Sequence, residues 1–192
     1  MPNNNTATNV TTGKPNPSGS IYVAPLGTEL PTDASTALGA AYKCLGFVSE
    51  DGLHNSNEIN VSDIKAWGGL IVYSSLDEFT DTFKFNLLET LNVEVLKAVY
   101  GDNNVSVDGS GNVEISVNAN CLSEKVWVFD LALRGDVSCR IVIADGIITA
   151  RDEIAYTDSD AVAYGVTVTA YASNAISNNT HKEYRTPSGV SM

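Results

Sequence analysis

The sequence predicts a mainly β fold: a two-layer antiparallel β-sandwich, or a partly open barrel, with one flanking α-helix. Three observations predict it. From 105 to 168, apolar side chains recur at every second residue in short runs set apart by Gly- and Asp-containing turns. The connections are mostly short, which makes neighbouring strands antiparallel. A single stretch switches to a four-residue period: Leu91, Val95 and Val99, with Leu96 beside them, form one stripe of a short amphipathic helix. No internal repeat is present at any fixed period.

Residues 1–20 are Asn, Thr, Pro, Gly and Ser with almost nothing apolar. Such a segment cannot offset its ordering entropy by burial, so a flexible N-terminal arm is expected, either ordering on a neighbouring subunit or remaining a plain tail. Residues 21–172 read as one β-rich domain. Ile21 to Ala24 suggests a short strand, Pro25, Gly27 and Pro31 a turn-rich connection, and Asp33 a cap for one helical turn that Gly39 stops. Strand returns at 44–49. Residues 54–69 are less regular, and an extended loop or long hairpin is expected there. Trp67, followed by Gly68 and Gly69, reads either as a core anchor with close backbone approach or as a contact between subunits. Leu70 to Ser74 reads as the next strand.

The stretch from 79 to 101 organises the chain. Phe79, Phe83, Phe85 and Leu87 share one face of a strand, with Asp81 as the flaw in it. Thr90 or Asn92 caps the helix that follows, Glu94 lies in its first turn, and Gly101 stops it. Then come a hairpin around Asp108 to Gly111 and a central strand over 125–133. Strands over 137–144 and 147–150 flank Asp145-Gly146, a two-residue hairpin signal. A last strand holds Val162, Tyr164, Val166 and Val168. Residues 173–192 read as a loose polar tail.

Composition narrows the function. The 192 residues carry 23 acidic and 11 basic side chains, a formal charge of −12, which disfavours specific capture of nucleic acid. Cys44, Cys121 and Cys139 form no CxxC pair and leave an odd thiol, so no disulfide framework and a reduced cytosolic site of synthesis are expected. No secretory signal and no apolar run of roughly 20 residues appears. Catalytic material is scarce. His54 and His181 sit in polar surroundings and read as solvated loop residues. The run from Asp108 to Asn112 spaces oxygen ligands like the start of a calcium loop, yet Ala119 stands at its twelfth position, so it reads as a turn. Asp158 and Asp160 are turn formers. No P-loop, GxSxG or GxGxxG motif is present. No enzyme, metal or cofactor is expected.

Val23-Ala24-Pro25-Leu26-Gly27-Thr28-Glu29-Leu30-Pro31-Thr32, Leu45 to Leu53, Ile64-Lys65-Ala66-Trp67-Gly68-Gly69 and Val95-Leu96-Lys97-Ala98-Val99-Tyr100-Gly101 follow one another in an order that resembles the major tail tube proteins of long, noncontractile-tailed bacteriophages. The similarity covers about residues 21–101. It implies a structural subunit of hexameric rings stacked into a tube in the virion tail, assembled in the bacterial host cytoplasm. It also implies tape-measure, tail-terminator and tail-tip partners, with DNA passing through unbound. Residues 54–69 and the arm become connectors between rings, and the helix packs outside the barrel. The alternative reading is an acidic β-sandwich binding module for carbohydrate or a cell surface. That module needs an exposed aromatic cluster, and Tyr73, Tyr156, Tyr164 and Tyr171 are scattered. A β-sandwich hydrolase is a third reading, opposed by the shortage of histidine.

Overall fold

The computed structural model describes residues 7, 10–16, 19–120, 122–135 and 137–186. Eleven strands and one helix follow in order: β1 (Gly13–Pro15), β2 (Ile21–Pro25), β3 (Lys43–Cys44), β4 (His54–Lys65), β5 (Ile71–Leu87), α1 (Val93–Tyr100), β6 (Val105–Val107), β7 (Val113–Ile115), β8 (Lys125–Leu133), β9 (Val137–Arg151), β10 (Tyr164–Ala170) and β11 (Lys182–Arg185). Nine strands make one sheet in the order β3-β2-β8-β9-β10-β5-β4, with β1 added beside β8 and β11 beside β9; β6 and β7 form a separate two-stranded sheet. Every pairing is antiparallel. The fold is mainly β with one helix, as the sequence predicts.

The sheet does not lie flat. Between β5 and β8 lie two other strands, so three spacings of about 4.8 Å would separate them in a plane. Yet Phe83 of β5 stacks on Phe129 of β8 with ring centroids 5.5 Å apart, and Phe85 meets Phe129 at 5.5 Å and Trp127 at 6.0 Å. The sheet therefore folds over on itself and encloses a core in sandwich fashion. Helix α1 contributes Val95, Leu96, Ala98 and Val99 to that core. Asn92 caps the helix, its Oδ1 accepting from the Glu94 amide at 3.0 Å, and the Gly101 N–H closes the other end on the Lys97 carbonyl at 2.9 Å. Leu91 falls outside the helix, 93% exposed, so the buried stripe begins at Val95 rather than at Leu91.

The other face of the central strands carries a smaller core of Ala24, Val126, Val128 and Val142, covered by Leu30, Leu38, Tyr42 and Tyr184. Asp130 and Arg140 sit opposite each other on β8 and β9 and pair through two contacts, Nε to Oδ1 at 2.6 Å and Nη2 to Oδ2 at 2.8 Å. The remaining guanidinium nitrogen donates to the carbonyls of Asp33 and Thr36, tying the covering loop to the sheet. Asp33 shapes that loop by accepting from the Thr36 hydroxyl and from the Thr36 and Ser35 amides, which hold its carboxyl well below the ordinary range; a bend results, not the expected helical turn.

Other expectations are corrected. Residues 13–15 of the expected flexible arm lie on β8, where the Arg134 amide donates to Thr11 Oγ1; residues 1–6, 8, 9, 17 and 18 fall outside the described residues. The tail expected to be loose forms β11 on β9 and buries Ile176, while 187–192 fall outside the described residues, as does Cys121. Asp145-Gly146 makes no hairpin. It lies inside the 15-residue β9, where the register against β8 slips between Lys125 and Trp127. The extra residue there is a bulge, which places the Gly146 carbonyl to accept from Trp127 Nε1 at 3.1 Å. A Cβ on Gly146 would meet Ile143, Trp127 and Val168 at 3.0–3.1 Å. All three are buried and have no room to yield. Gly146→Ala is therefore expected to destabilise the fold by about 1–3 kcal/mol, read as a lower urea midpoint at unchanged slope.

Candidate functional site

Strand β5 is 17 residues long, but β10 accompanies only its second half, with Ala170 opposite Asp81 as the last pair. From there back to its start, β5 pairs with β4 alone. The two strands leave the body as a ribbon roughly 30 Å long at about 3.3 Å per residue. Both its faces are exposed.

The ribbon is amphipathic along most of its length. Ile59 opposes Phe79 and Val61 opposes Leu76, on the face that continues into the buried Phe83, Phe85 and Leu87. Glu58 opposes Thr80, Asn60 opposes Glu78 and Ser62 opposes Ser75 on the other face. The pattern survives because the register slips at Asn60/Val61, leaving Asp77 as an extra residue. One inserted residue moves all that follow to the opposite face, so Leu76 joins Phe79 instead of opposing it. Nearer the tip the apolar pair changes sides: Ile64 opposes Tyr73 on the otherwise polar face, while Asp63 opposes Ser74 and Lys65 opposes Ile71. Ten large hydrophobic side chains stand exposed here: Ile59, Val61, Ile64, Trp67, Leu70, Ile71, Val72, Tyr73, Leu76 and Phe79.

Trp67, Gly68 and Gly69 form the turn at the tip. Gly68 and Gly69 take φ of +101° and +89°, which side-chain-bearing residues rarely adopt. Trp67 is wholly exposed, so the core-anchor reading of this residue is overturned.

At the root of the ribbon lies Asp81, fully buried. Its Oδ1 accepts from Asn55 Nδ2 of β4 at 2.7 Å; its Oδ2 accepts from Thr180 Oγ1 at 2.7 Å and lies 2.6 Å from His181 Nδ1. An ionised carboxylate only accepts, so Nδ1 carries the proton. Burial pushes the Asp81 carboxyl up, but hydrogen bonds from His181, Thr180 and Asn55 outweigh it and hold the group below its ordinary 3.8. The hydrogen bond to Asp81 raises His181 above 6.5, against the opposing effect of burial. His181 is thus no solvated loop residue; its ring meets Phe83 edge-on at 5.2 Å. His54 begins β4 and is exposed. Sequence reasoning marked Asp81 as a flaw but had no signal for its partners: Asn55 lies 26 residues away, Thr180 99 and His181 100.

The remaining candidates offer no chemistry. The Asp108 carboxylate accepts from the Ser110 and Asn112 amides, both at 2.8 Å, and so builds the β6–β7 turn. Asp158 and Asp160 lie in an exposed bend. Among the described residues, no three His, Cys, Asp or Glu side chains gather as they would around a metal ion. No helix among them is long and apolar enough to cross a membrane.

Protonated His181 stabilises the fold at pH below its ordinary value, and this contribution is lost as pH rises through its raised value. Ionised Asp81 stabilises above 3.8, and this is lost as pH falls through its lowered value. Replacing His181 by Ala is expected to cost about 2 kcal/mol near pH 5 and distinctly less near pH 9, measured by urea unfolding across that range.

The family model for phage tail tube proteins matches residues 1–181. Among solved structures, the chain is similar to the anti-feeding prophage cap, a tube-terminating cap seen by cryo-EM. That match has 8% identity and a TM-score of 0.43, over 90% of this chain and 93% of the other. No curated protein matches the chain. The family match spans the folded body and the ribbon alike, and its members are structural proteins of the virion tail rather than enzymes. The chain belongs to the phage tail tube protein family.

Proposed function

We propose that copies of this chain close into hexameric rings that stack into the tail tube, with the β4–β5 ribbon as the main contact between copies. The observation that carries this reading is the ribbon's ten exposed apolar side chains. A two-stranded hairpin with both faces in water is marginal at best, so a surface of this kind calls for a covering partner. Trp67, Gly68 and Gly69 at its tip are the inter-subunit contact, Trp being a residue enriched at interface hot spots. The N-terminal arm would join one ring to the next.

The tube serves as a conduit for DNA into the host cell. Each Lys or Arg that neutralises a phosphate releases counterions and adds affinity, with a salt slope of about −0.9 per contact. A chain of net charge −12 supports passage without capture, with the bore wall net negative. The tail is of the long, noncontractile type, assembles in the bacterial cytoplasm and meets tape-measure, terminator and tip proteins. The binding-module alternative gains nothing from the ribbon. Tyr73 and Phe79 lie on its opposite faces, so they form no shared platform for a sugar ring.

Ile59→Ser combined with Phe79→Ser is expected to change unfolding free energy by less than about 0.5 kcal/mol, as exposed substitutions do, while abolishing rings and tubes in electron micrographs of concentrated protein. Tubes growing from the double variant as from the unmodified chain would exclude the ribbon as the contact.

A further inference from the structure

We propose that the C-terminal segment 173–186 is a strap that sets the direction of the ribbon, acting through the junction of Thr180 and His181 with Asp81. This goes beyond the tube reading in naming the positioning residues, and it rests on that reading only for the ribbon's purpose.

The hinge is fixed by topology. Asp81 is the last residue of β5 opposite β10, so the ribbon leaves the sheet there. Only β4 accompanies β5 beyond it, and nothing in the ladder fixes the angle of departure. The strap supplies that restraint from outside the ladder. It is anchored on both sides of the junction. Before it, the Tyr171 amide donates to the Asp145 carbonyl of β9 at 2.8 Å and Ile176 is buried. After it, β11 pairs with β9 from Val142 to Cys139. Thr180 and His181 are held between these anchors.

The junction ties three segments to one buried carboxylate: Asn55 from β4, Asp81 from β5, and the strap. If the strap lifts, Asp81 loses the contacts of Thr180 and His181 and keeps a single side-chain donor, Asn55. Strap and root therefore move together. The charged groups bearing on His181 are Asp81 of β5 and Glu183 of β11, the latter paired with Arg185 at 2.8 Å. From β4 comes neutral Asn55, and from β10 Ala170 opposite Asp81. Loss of the imidazolium charge leaves a neutral donor facing the Asp81 carboxylate, a weaker contact than the ion pair. The root is thus held more firmly at mildly acidic pH than at alkaline pH.

Hydrogen exchange of the full chain, kept dilute, tests this. His181→Gln with Thr180→Val is expected to speed exchange of the root amides at 57–61 and 76–80 about tenfold, while β8 and β9 stay as protected as before. In the unmodified chain the same amides, corrected for intrinsic rate, should lose protection as pH rises from about 6 to about 9, and His181→Gln alone should flatten that profile. The pH series on the unmodified chain requires no variant to fold. Root amides indifferent to both changes, or protection lost equally in β8 and β9, would overturn the strap. Self-association of the concentrated chain is measured separately: its failure counts against the tube reading and leaves the exchange result standing.

Discussion

One constraint governs this molecule: a β-ribbon of two strands, wet on both faces, buries too little to hold itself in place. Strand β5 lives on both sides of that limit. Its second half is paired with β10 throughout, with β4 on the other side as far as Lys84, and sends Phe83, Phe85 and Leu87 into the core. Its first half has β4 alone and sends Phe79 and Leu76 into water. The body is complete within one chain, with a folded-over sheet, a helix on the main core and a buried Asp130–Arg140 pair under the covering loop. The ribbon leaves Ile59, Val61, Leu76 and Phe79 in water, and the proposed assembly would cover them.

The two ends of the sheet differ in the same direction. Strand β3 is a two-residue edge, too short to template much pairing. Strand β4 is a 12-residue edge, exposed throughout. Contacts between different surfaces of neighbouring copies close rings when the rotation between copies closes. The proposed ring would use contacts of this kind.

Much of the fold was legible because its signals are local. The helix announced itself through Asn92, Glu94 and Gly101, and β8 through apolar residues on both faces, all within a few positions of one another. What was missed depends on distant partners. Asp145-Gly146 has the chemistry of a tight turn, but Trp127 and Val168 demand a residue without a side chain there, and packing overrode the local preference. The polar β11 carries no period-2 signal because its order comes from backbone bonds to β9. Strand β5 looked like two strands, since the bulges at Asp77 and Val72 break its alternation twice. For the site, the tip residues Trp67, Gly68 and Gly69 stood out by type. The root did not, since Asp81 and His181 are linked only through space.

The central claim is that the ribbon's exposed surface is completed by further copies of the chain. Collisional quenching of tryptophan fluorescence by acrylamide tests it most directly. Trp127 is buried in the core, so the accessible emission of the dilute chain belongs to Trp67. The account predicts that this quenchable fraction disappears in the assembled protein. A Trp67 that stays as open to acrylamide in tubes as in the single chain would contradict it.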